Sequence, residues 1–169
     1  FEAKAKTETT AIPVVYVQKG VANKFFKDET VTHDIKIKID IGNKVRTGHN
    51  VIGYIDNAAV NTIIIGAHYD HLGFGEDHNS LFTGTTPAIH NGADDNASGV
   101  SVLLGIAEYF KVHKPHNTLL FIAFDAEEMG LQGAYAFLKD PVISRKSIIM
   151  NVNVDMVSHN DKSELYAVG

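Results

Sequence analysis

Two adjacent carboxylates, Asp94 and Asp95, lie in a glycine-flanked segment, NGADDNASG at residues 91–99, just ahead of an apolar run. Neighbouring like charges repel each other, and a divalent cation would convert that repulsion into attraction. The simpler interpretation is an acidic turn that caps the following helix, because Asp, Asn and Ser all favour helix N-termini. Taken alone, the segment leaves both interpretations open, and the rest of the chain has to decide between them.

Other segments carry further residue types that bind metal ions. His68 is followed by Asp70, Glu127 is followed by Glu128, and Asp155 comes later in the chain. The sequence has nine histidines and no cysteine, so any metal ion must be held by His, Asp or Glu side chains. Nitrogen and carboxylate ligands of this kind suit zinc or manganese.

The composition is that of a globular protein of one domain. The chain has 169 residues, of which 44% are hydrophobic and 21% charged. A net charge of −5 and the lack of a basic stripe argue against nucleic acid as a partner. No apolar run is long enough for a membrane span, and we expect that a piece upstream of Phe1 has been removed, because the sequence opens without a Met or a signal peptide. We expect residues 1–28 to be a polar lead-in and residues 29–169 to be a partial catalytic domain.

Hydrophobic patterning predicts three strands and one helix in the first 55 residues. Residues 12–17 favour a short strand and residues 19–26 one or two turns of helix. Residues 30–41 alternate between apolar and polar side chains, which is typical of a strand with one solvent-facing side. Residues 45–55 then return as a strand, and we predict an antiparallel pair between these last two segments.

The later part of the chain alternates apolar strand runs with amphipathic helices. We predict strands at residues 60–67, 118–124, 148–154 and 165–168, and helices at residues 100–110 and 131–138. The first three of these strands are continuous apolar runs, typical of strands buried on both faces. This order predicts an α/β fold, a three-layer αβα domain with a mixed, mostly parallel central sheet. In such folds ligands bind beyond the carboxyl ends of the parallel strands.

The metal-binding residue types therefore converge on one edge of the predicted sheet. A charged residue at a strand end usually marks only where the chain meets water, but four agreeing segments favour a metal site. The carboxylate of Asp70 is placed to accept the second ring N–H of His68 and so fix its tautomer. Glu127 and Glu128 leave their strand in a tight turn, so one can bind metal while the other acts as a general base. Several carboxylates around one histidine favour a centre with two divalent ions.

Four ordered motifs carry a resemblance to a known family. They are GAHYDHLG at residues 66–73, NGADDNASG at 91–99, FDAEEMG at 124–130 and NVDM at 153–156. In order and spacing they resemble the M28 family of zinc aminopeptidases, in particular its bacterial, Bacteroidetes-type members. The resemblance implies a hydrolase that uses Zn²⁺ to cleave the N-terminal peptide bond of peptides or proteins. It also implies export to the periplasm or the extracellular space.

The resemblance also implies the roles of individual residues. His68, Asp95 and Asp155 would hold one zinc ion, and Asp95 would bridge to a second ion held by Glu128 and a further histidine. A cis peptide bond is implied between Asp95 and Asn96. Glu127 would be the general base, which takes a proton from the attacking water and passes it to the leaving amine.

One departure from the family pattern concerns the further histidine. In the family this ligand lies well downstream of the position of Asp155, and this sequence ends at Gly169. His159 is the remaining downstream histidine, and we interpret it as a loop residue rather than a ligand. We therefore expect this chain to be a fragment of a longer peptidase domain, with a second zinc position that lacks its histidine and is weakened or empty.

A long glycine-rich segment, residues 72–91, is a candidate lining of the substrate pocket. His71, His78 and His90 lie in or beside this segment, and His90 is a candidate contact to substrate or to a metal ligand. Two alternatives to a peptidase stay open. Glutaminyl cyclases share the fold and use one zinc for an intramolecular acyl transfer, and other domains of this fold are non-catalytic binding modules.

Overall fold

A computed structural model describes residues 14–28, 30–38, 45–77, 79–86, 88–160, 162 and 164–169. The chain divides into two compact units, Phe1–Arg46 and Thr47–Gly169. In the part of the chain described, helices long and apolar enough to cross a membrane are absent. The boundary expected between residues 28 and 29 stays a prediction.

The first unit contains helix α1, Lys19–Phe25, which confirms the helix predicted there. The strands predicted at residues 12–17 and 30–41 are wrong for the residues described within them, 14–17 and 30–38, which form no strand. The rest of those two segments lies outside the described residues.

The apolar side chains of the second segment explain the error. Val31, Ile35 and Ile37 are 49%, 62% and 54% exposed. An alternating pattern stabilises a strand only when its apolar face packs against a neighbour, and these three side chains lack that burial.

The second unit is built on a four-stranded sheet. Its strands are β1 (Val51–Ile55), β2 (Thr62–His68), β3 (Thr118–Phe124) and β4 (Ile148–Asn153). The strand order is β1-β3-β2-β4. β1 runs antiparallel to β3, whereas β2 is parallel to both β3 and β4. The predicted mixed, mostly parallel sheet is confirmed.

The predicted hairpin between residues 30–41 and 45–55 is wrong for the residues described there, 30–38 and 45–55, since the first of these ranges forms no strand. β1 begins only at Val51, and it pairs with β3, so that Val51 lies opposite Ala123 and Ile55 opposite Leu119. Local patterning shows that a segment can form a strand, but the partner is selected by contacts between segments that are distant in sequence.

Helical segments follow β2 and β3. They are an irregular turn (Ala93–Ser98), α2 (Gly99–Val112), α3 (Gln132–Lys139) and a short 3₁₀ helix (Arg145–Ser147). The helices predicted at residues 100–110 and 131–138 are confirmed to within two residues.

Two buried clusters place the helices on opposite faces of the sheet. Leu103 of α2 packs with Ile65 of β2 and its neighbours, whereas Phe137 of α3 packs with Ile64 and its neighbours. Ile64 and Ile65 are adjacent in a strand, so their side chains point to opposite faces. The second unit is therefore a helix–sheet–helix arrangement, which confirms the three-layer αβα class.

The end of the chain differs from the prediction. β4 was expected to be buried on both faces, yet Ile149, Met150 and Val152 are 55%, 53% and 42% exposed. Among the described strands, β4 lies at the edge and pairs with β2 alone, and the packing of α2 and α3 centres on β2 and β3. The strand predicted at residues 165–168 is also wrong, because these residues have no regular structure.

Candidate metal centre

The predicted metal-binding residues meet at one edge of the sheet. β2, β3 and β4 are parallel, so their carboxyl ends lie on the same side. His68 is the last residue of β2, and Asp155 follows β4. The turn with Glu127 and Glu128 follows β3, and Asp95 lies in the irregular turn before α2. This is the edge at which open α/β sheets bind ligands.

The first cluster consists of His68, Asp95 and Asp155. The His68 Nε2 atom lies 3.0 Å from Asp95 Oδ1 and 3.5 Å from Asp155 Oδ1. One donor atom from each residue lies within 4.8 Å of the other two. The imidazole is 3% exposed, whereas Asp155 is 40% exposed, so the cluster is open on the side of Asp155.

The second cluster consists of His71, Asp95 and Glu128. The His71 Nδ1 atom lies 2.7 Å from Glu128 Oε1 and 3.9 Å from Asp95 Oδ2. The two oxygens of Asp95 thus face two different histidines. Sequence reasoning placed His71 only near the site, and its presence beside Glu128 differs from the expectation that this position lacks a histidine.

Asp70 contacts His68 differently from the prediction. His68 Nδ1 lies 3.1 Å from the backbone carbonyl oxygen of Asp70, whereas the carboxylate is 3.6 Å away. The carboxylate instead accepts hydrogen bonds from the backbone N–H groups of Glu127, at 2.9 Å, and Glu128, at 3.2 Å. The expected carboxylate–imidazole bond is wrong because the adjacent turn supplies two N–H donors. Asp70 therefore links the end of β2 to the turn after β3.

Glu127 lines a cavity of about 330 Å³ together with His68 and Asp155. Much of the remaining wall is apolar, with Phe124 and Phe137 among the lining residues. Burial is the main cause that raises the pKa of the Glu127 carboxyl group, while His68 opposes the rise. A carboxylate with a raised pKa in such a cavity is a stronger base than one in water.

The pKa values of His68 and Asp155 in the first cluster are also shifted. Burial by itself would lower the pKa of the His68 imidazole, but Asp155 and Glu127 outweigh it and the pKa is raised. Burial raises the pKa of Asp155 against the opposing effect of His68, and Asp95 adds to the rise. A metal ion that binds these atoms therefore competes with protons. The imidazole nitrogen and carboxylate oxygens fit the ligand preferences of zinc.

Asn96, which sequence reasoning connected only with the cis bond, holds Asp155 in place. Its side chain is 2% exposed. Asn96 Nδ2 donates to the Val154 carbonyl, and Asn96 Oδ1 accepts from the Met156 N–H, so both neighbours of Asp155 are bonded. The preceding Asp95–Asn96 peptide bond is cis, as predicted. No pattern in the sequence indicates that Asn96 bonds to partners 58 and 60 residues away.

Asp94 lies outside both clusters. Its Oδ1 atom accepts hydrogen bonds from the backbone N–H and the hydroxyl of Ser158 and from the backbone N–H of His159. These hydrogen bonds lower the pKa of the Asp94 carboxyl group, and the bond from the Ser158 backbone N–H has the largest effect. Asp94 thus fixes the segment after Asp155, and the His159 side chain belongs to neither cluster.

The remaining histidines near the site have distinct places. His90 Nε2 lies 2.9 Å from the Ser80 hydroxyl, and the His90 ring meets the His71 ring edge-on at 6.4 Å between centroids. His78 lies outside the described residues. His90 therefore borders the second cluster through His71.

The family model for Peptidase family M28 matches residues 50–169. The chain belongs to this family. The match covers the second compact unit except for its first three residues, and it includes all residues of both clusters. The family of zinc peptidases resembled by the sequence motifs is thus confirmed.

Known proteins of this family are similar to the chain over part of their length. Aminopeptidase YwaD of Bacillus subtilis (strain 168) is 30% identical over 163 residues, which cover 92% of this chain and 31% of that protein. The structure of a Zn-dependent exopeptidase from Parabacteroides distasonis aligns with a TM-score of 0.55 at 25% identity, over 64% of this chain and 41% of that one. A Bacteroides thetaiotaomicron glutaminyl cyclase gives the same four values. The chain thus spans less than half the length of these relatives.

Proposed function

We propose that this chain is part of a zinc-dependent exopeptidase that removes N-terminal residues from peptides or proteins. The observation that carries the proposal is the position of Glu127, which shares a cavity with His68 and Asp155 beside two clusters joined by Asp95. The similarity to an aminopeptidase over 92% of the chain supports it. Residues 29–169 would be part of the catalytic domain, after a lead-in at residues 1–28.

The clusters supply the ligands that the proposal requires. His68, Asp95 and Asp155 would hold one zinc ion, and Asp95 and Glu128 would contribute to a second. Zinc at these positions would polarise the scissile carbonyl and lower the pKa of a water molecule. This chemistry needs no serine or cysteine nucleophile.

Glu127 moves the proton in the proposed reaction. Its carboxylate takes a proton from the attacking water as the water oxygen bonds to the scissile carbonyl carbon. Glu127 then gives the proton to the leaving amine nitrogen as the carbon–nitrogen bond breaks. Asp70 holds the backbone of the Glu127–Glu128 turn, so Glu127 stays beside the substrate cavity.

The test is Glu127→Gln, which keeps the shape of the side chain but removes the base. Hydrolysis of aminoacyl-4-nitroanilides by the zinc-loaded chain should fall by about 10²–10⁴-fold, while zinc content stays unchanged. Glu108→Gln, the same change at an exposed position of α2, should leave the rate unaltered. Equal rates for Glu127→Gln and the unchanged protein would contradict the assignment of the base.

A glutaminyl cyclase is the second candidate, because a cyclase structure aligns as well as the exopeptidase does. The Glu127–Glu128 pair and the second cluster favour hydrolysis, since the cyclase reaction uses one zinc. Mass spectrometry of a peptide that begins with glutamine separates the two. A peptidase releases glutamine and a shortened peptide, whereas a cyclase releases ammonia and keeps the peptide length.

A non-catalytic binding module is the remaining alternative. Zinc binding and a folded chain, together with no turnover of any aminoacyl substrate or glutaminyl peptide, would favour it over both enzymes. The complete set of acidic ligands and the base Glu127 argues against it.

We also propose that the protein is exported, as the family resemblance implies. Fractionation of the source cells, followed by detection with a specific antibody, tests this proposal. Recovery of the protein with cytoplasmic markers alone would contradict it.

A further inference from the structure

The turn that carries the proposed base is bonded at both of its ends to one side chain from another segment. We call residues 125–133, which follow β3 and lead into α3, the base turn. We propose that Asn50, just ahead of β1, is a positioning residue that holds the base turn and so keeps Glu127 beside the substrate cavity. The inference rests on the proposed function, because it assumes that Glu127 is the base.

The base turn has a backbone that needs support from its surroundings. Ala126 and Leu131 have φ values of +52° and +59°, in the left-handed region that side chains other than glycine rarely adopt. Such conformations persist only where the surrounding structure holds them. One bond within the turn contributes, since the Gly133 N–H donates to the Asp125 carbonyl oxygen at 3.0 Å. The Asp125 N–H and the Gly133 carbonyl oxygen bond to a residue from outside the turn.

That outside residue is Asn50, whose side chain contacts both ends of the turn at once. Asn50 Oδ1 accepts a hydrogen bond of 3.1 Å from the Asp125 N–H, and Asn50 Nδ2 donates one of 2.8 Å to the Gly133 carbonyl oxygen. A side-chain amide suits this place because it carries an acceptor and a donor together. A Cβ atom at residue 133 would overlap Asn50 Oδ1, so glycine there lets the amide lie directly against the turn.

The segment around Asn50 is itself fixed to the sheet. Val51, the next residue, is the first of β1, which pairs with β3. The His49 N–H donates to the Asp125 carboxylate at 2.8 Å, and the His49 carbonyl oxygen accepts a hydrogen bond of 2.7 Å from the Tyr69 hydroxyl. Tyr69 directly follows β2. The segment therefore connects the carboxyl ends of β2 and β3.

Asn50 and Asp70 hold different parts of the base turn. The Asp70 carboxylate accepts from the N–H groups of Glu127 and Glu128, in the middle, whereas Asn50 bonds to the two ends. Without Asn50 the turn would be free to pivot about the bonds to Asp70. A displacement of a catalytic group by about 1 Å lowers a rate by about 100-fold. We therefore expect kcat to depend on Asn50 more strongly than KM does.

Asn50→Ala in the full chain tests the inference. In the metal-free protein, hydrogen exchange at the Asp125, Glu127 and Glu128 amides should become at least about tenfold faster. In the zinc-loaded protein, kcat for an aminoacyl-4-nitroanilide should fall by about 10–100-fold while KM stays within about twofold. Asn50→Asp, which keeps the shape but loses the donor to Gly133, is the second variant and should change both quantities in the same direction.

Asn57→Ala is the matched control at the other end of β1. The Asn57 side chain is partly buried like that of Asn50, and it donates to the carbonyl oxygen of Pro115. Pro115 lies just before β3, whereas the base turn follows the opposite end of this seven-residue strand, about 20 Å away. Exchange in the base turn and kcat should both stay unchanged in Asn57→Ala. Thermal unfolding of each variant shows whether it is folded at the assay temperature.

The possible outcomes separate this inference from the proposed function. If exchange in the base turn is unaltered in Asn50→Ala, or if it rises without a loss of kcat, Asn50 does not position the base and only the inference fails. Equal losses of kcat in Asn50→Ala and Asn57→Ala would make general destabilisation the cause and would also overturn it. If the unchanged zinc-loaded protein turns over no aminoacyl substrate, the proposed function fails and the inference fails with it.

Discussion

The two clusters share Asp95 but differ in what holds their histidines. His68 is the last residue of β2, in the middle of the sheet, and its side chain is 3% exposed. His71 lies in the loop after that strand, and its side chain is 20% exposed. The first histidine is held by the pairing of β2 with β3, which continues to His68 opposite Phe124, whereas the second depends on contacts between loops. We therefore expect the first site to bind metal more tightly than the second.

In each cluster, one carboxylate residue is held by a residue that is not itself a candidate ligand. Asp155 is connected to the Asp95 turn through the buried side chain of Asn96. Glu128 is connected to β2 through the backbone bond to Asp70. Each cluster thus has a partner outside the ligand set that keeps one carboxylate in place, and such outer partners usually alter metal affinity by about 10–100-fold.

Asp95→Asn changes the carboxylate that the two sites share, and its effect on zinc binding should be the largest. An amide keeps the shape but loses the negative charge that faces both histidines, so zinc content should fall from about two ions to nearly none. Elemental analysis after dialysis measures the loss. Asp140→Asn, the same change at an exposed position after α3, is the control and should keep both ions. Loss of a single ion in Asp95→Asn would show that the carboxylate is not shared.

Asn96→Ala tests the first site separately. The change removes three hydrogen-bond partners, to Val154, Met156 and the Gly99 N–H, and should lower the free energy of unfolding by about 2–3 kcal/mol. The affinity for the first ion should fall by about 10–100-fold, because Asp155 loses its fixed position. Urea unfolding of the metal-free protein and calorimetric zinc titration measure the two effects.

Asn160→Ala is the control for that variant. The Asn160 side chain donates its hydrogen bond to the Val157 carbonyl in the same segment, whereas Asn96 bonds to the two neighbours of Asp155. Zinc titration of Asn160→Ala should match that of the unchanged chain. If both asparagine variants lower the affinity for the first ion equally, the whole segment rather than Asn96 positions Asp155.

The first cluster could be predicted from the sequence because its ligands follow regular strands. Continuous apolar runs located β2 and β4, and parallel strands bring their carboxyl ends to one edge, which placed His68 and Asp155 together. The layers followed from the same pattern, since α2 and α3 were recognised from their helical spacing. Regular elements have fixed periodicities, and these connect sequence position to spatial position.

The second cluster could not be predicted in this way. The position of His71 depends on the path of the loop, which is set by the fit of Gly92 and by a bridge between Gly73 and His90. Such contacts have no period in the sequence. The false hairpin at residues 30–41 shows the opposite case, because there the pattern was regular but no packing partner buries the apolar side chains among the described residues.

Gly92→Ala tests the loop-held site and should have the smallest effect on metal binding. The new methyl group would meet the His71 ring and the Asp95 carbonyl oxygen, in a backbone conformation with φ of +64°. Displacement of His71 should lower the affinity for the second ion by about tenfold, within the range seen when a residue that contacts a metal ligand is lost. It should also destabilise the metal-free protein by about 1–3 kcal/mol. Zinc titration resolves the two affinities, and urea unfolding gives the stability.

Gly105→Ala provides the matched change for this comparison. A Cβ atom at Gly105 meets nothing within 4 Å, and Gly105 lies inside α2, so alanine should stabilise the protein by about 0.5–1 kcal/mol without altering zinc binding. The decisive quantity is the ratio of the two zinc affinities in Gly92→Ala. An unchanged first affinity with a weakened second one supports separate control by sheet and loop. Equal weakening of both would mean that Asp95, rather than His71, responds to the loop, and the contrast between the two sites would then be lost.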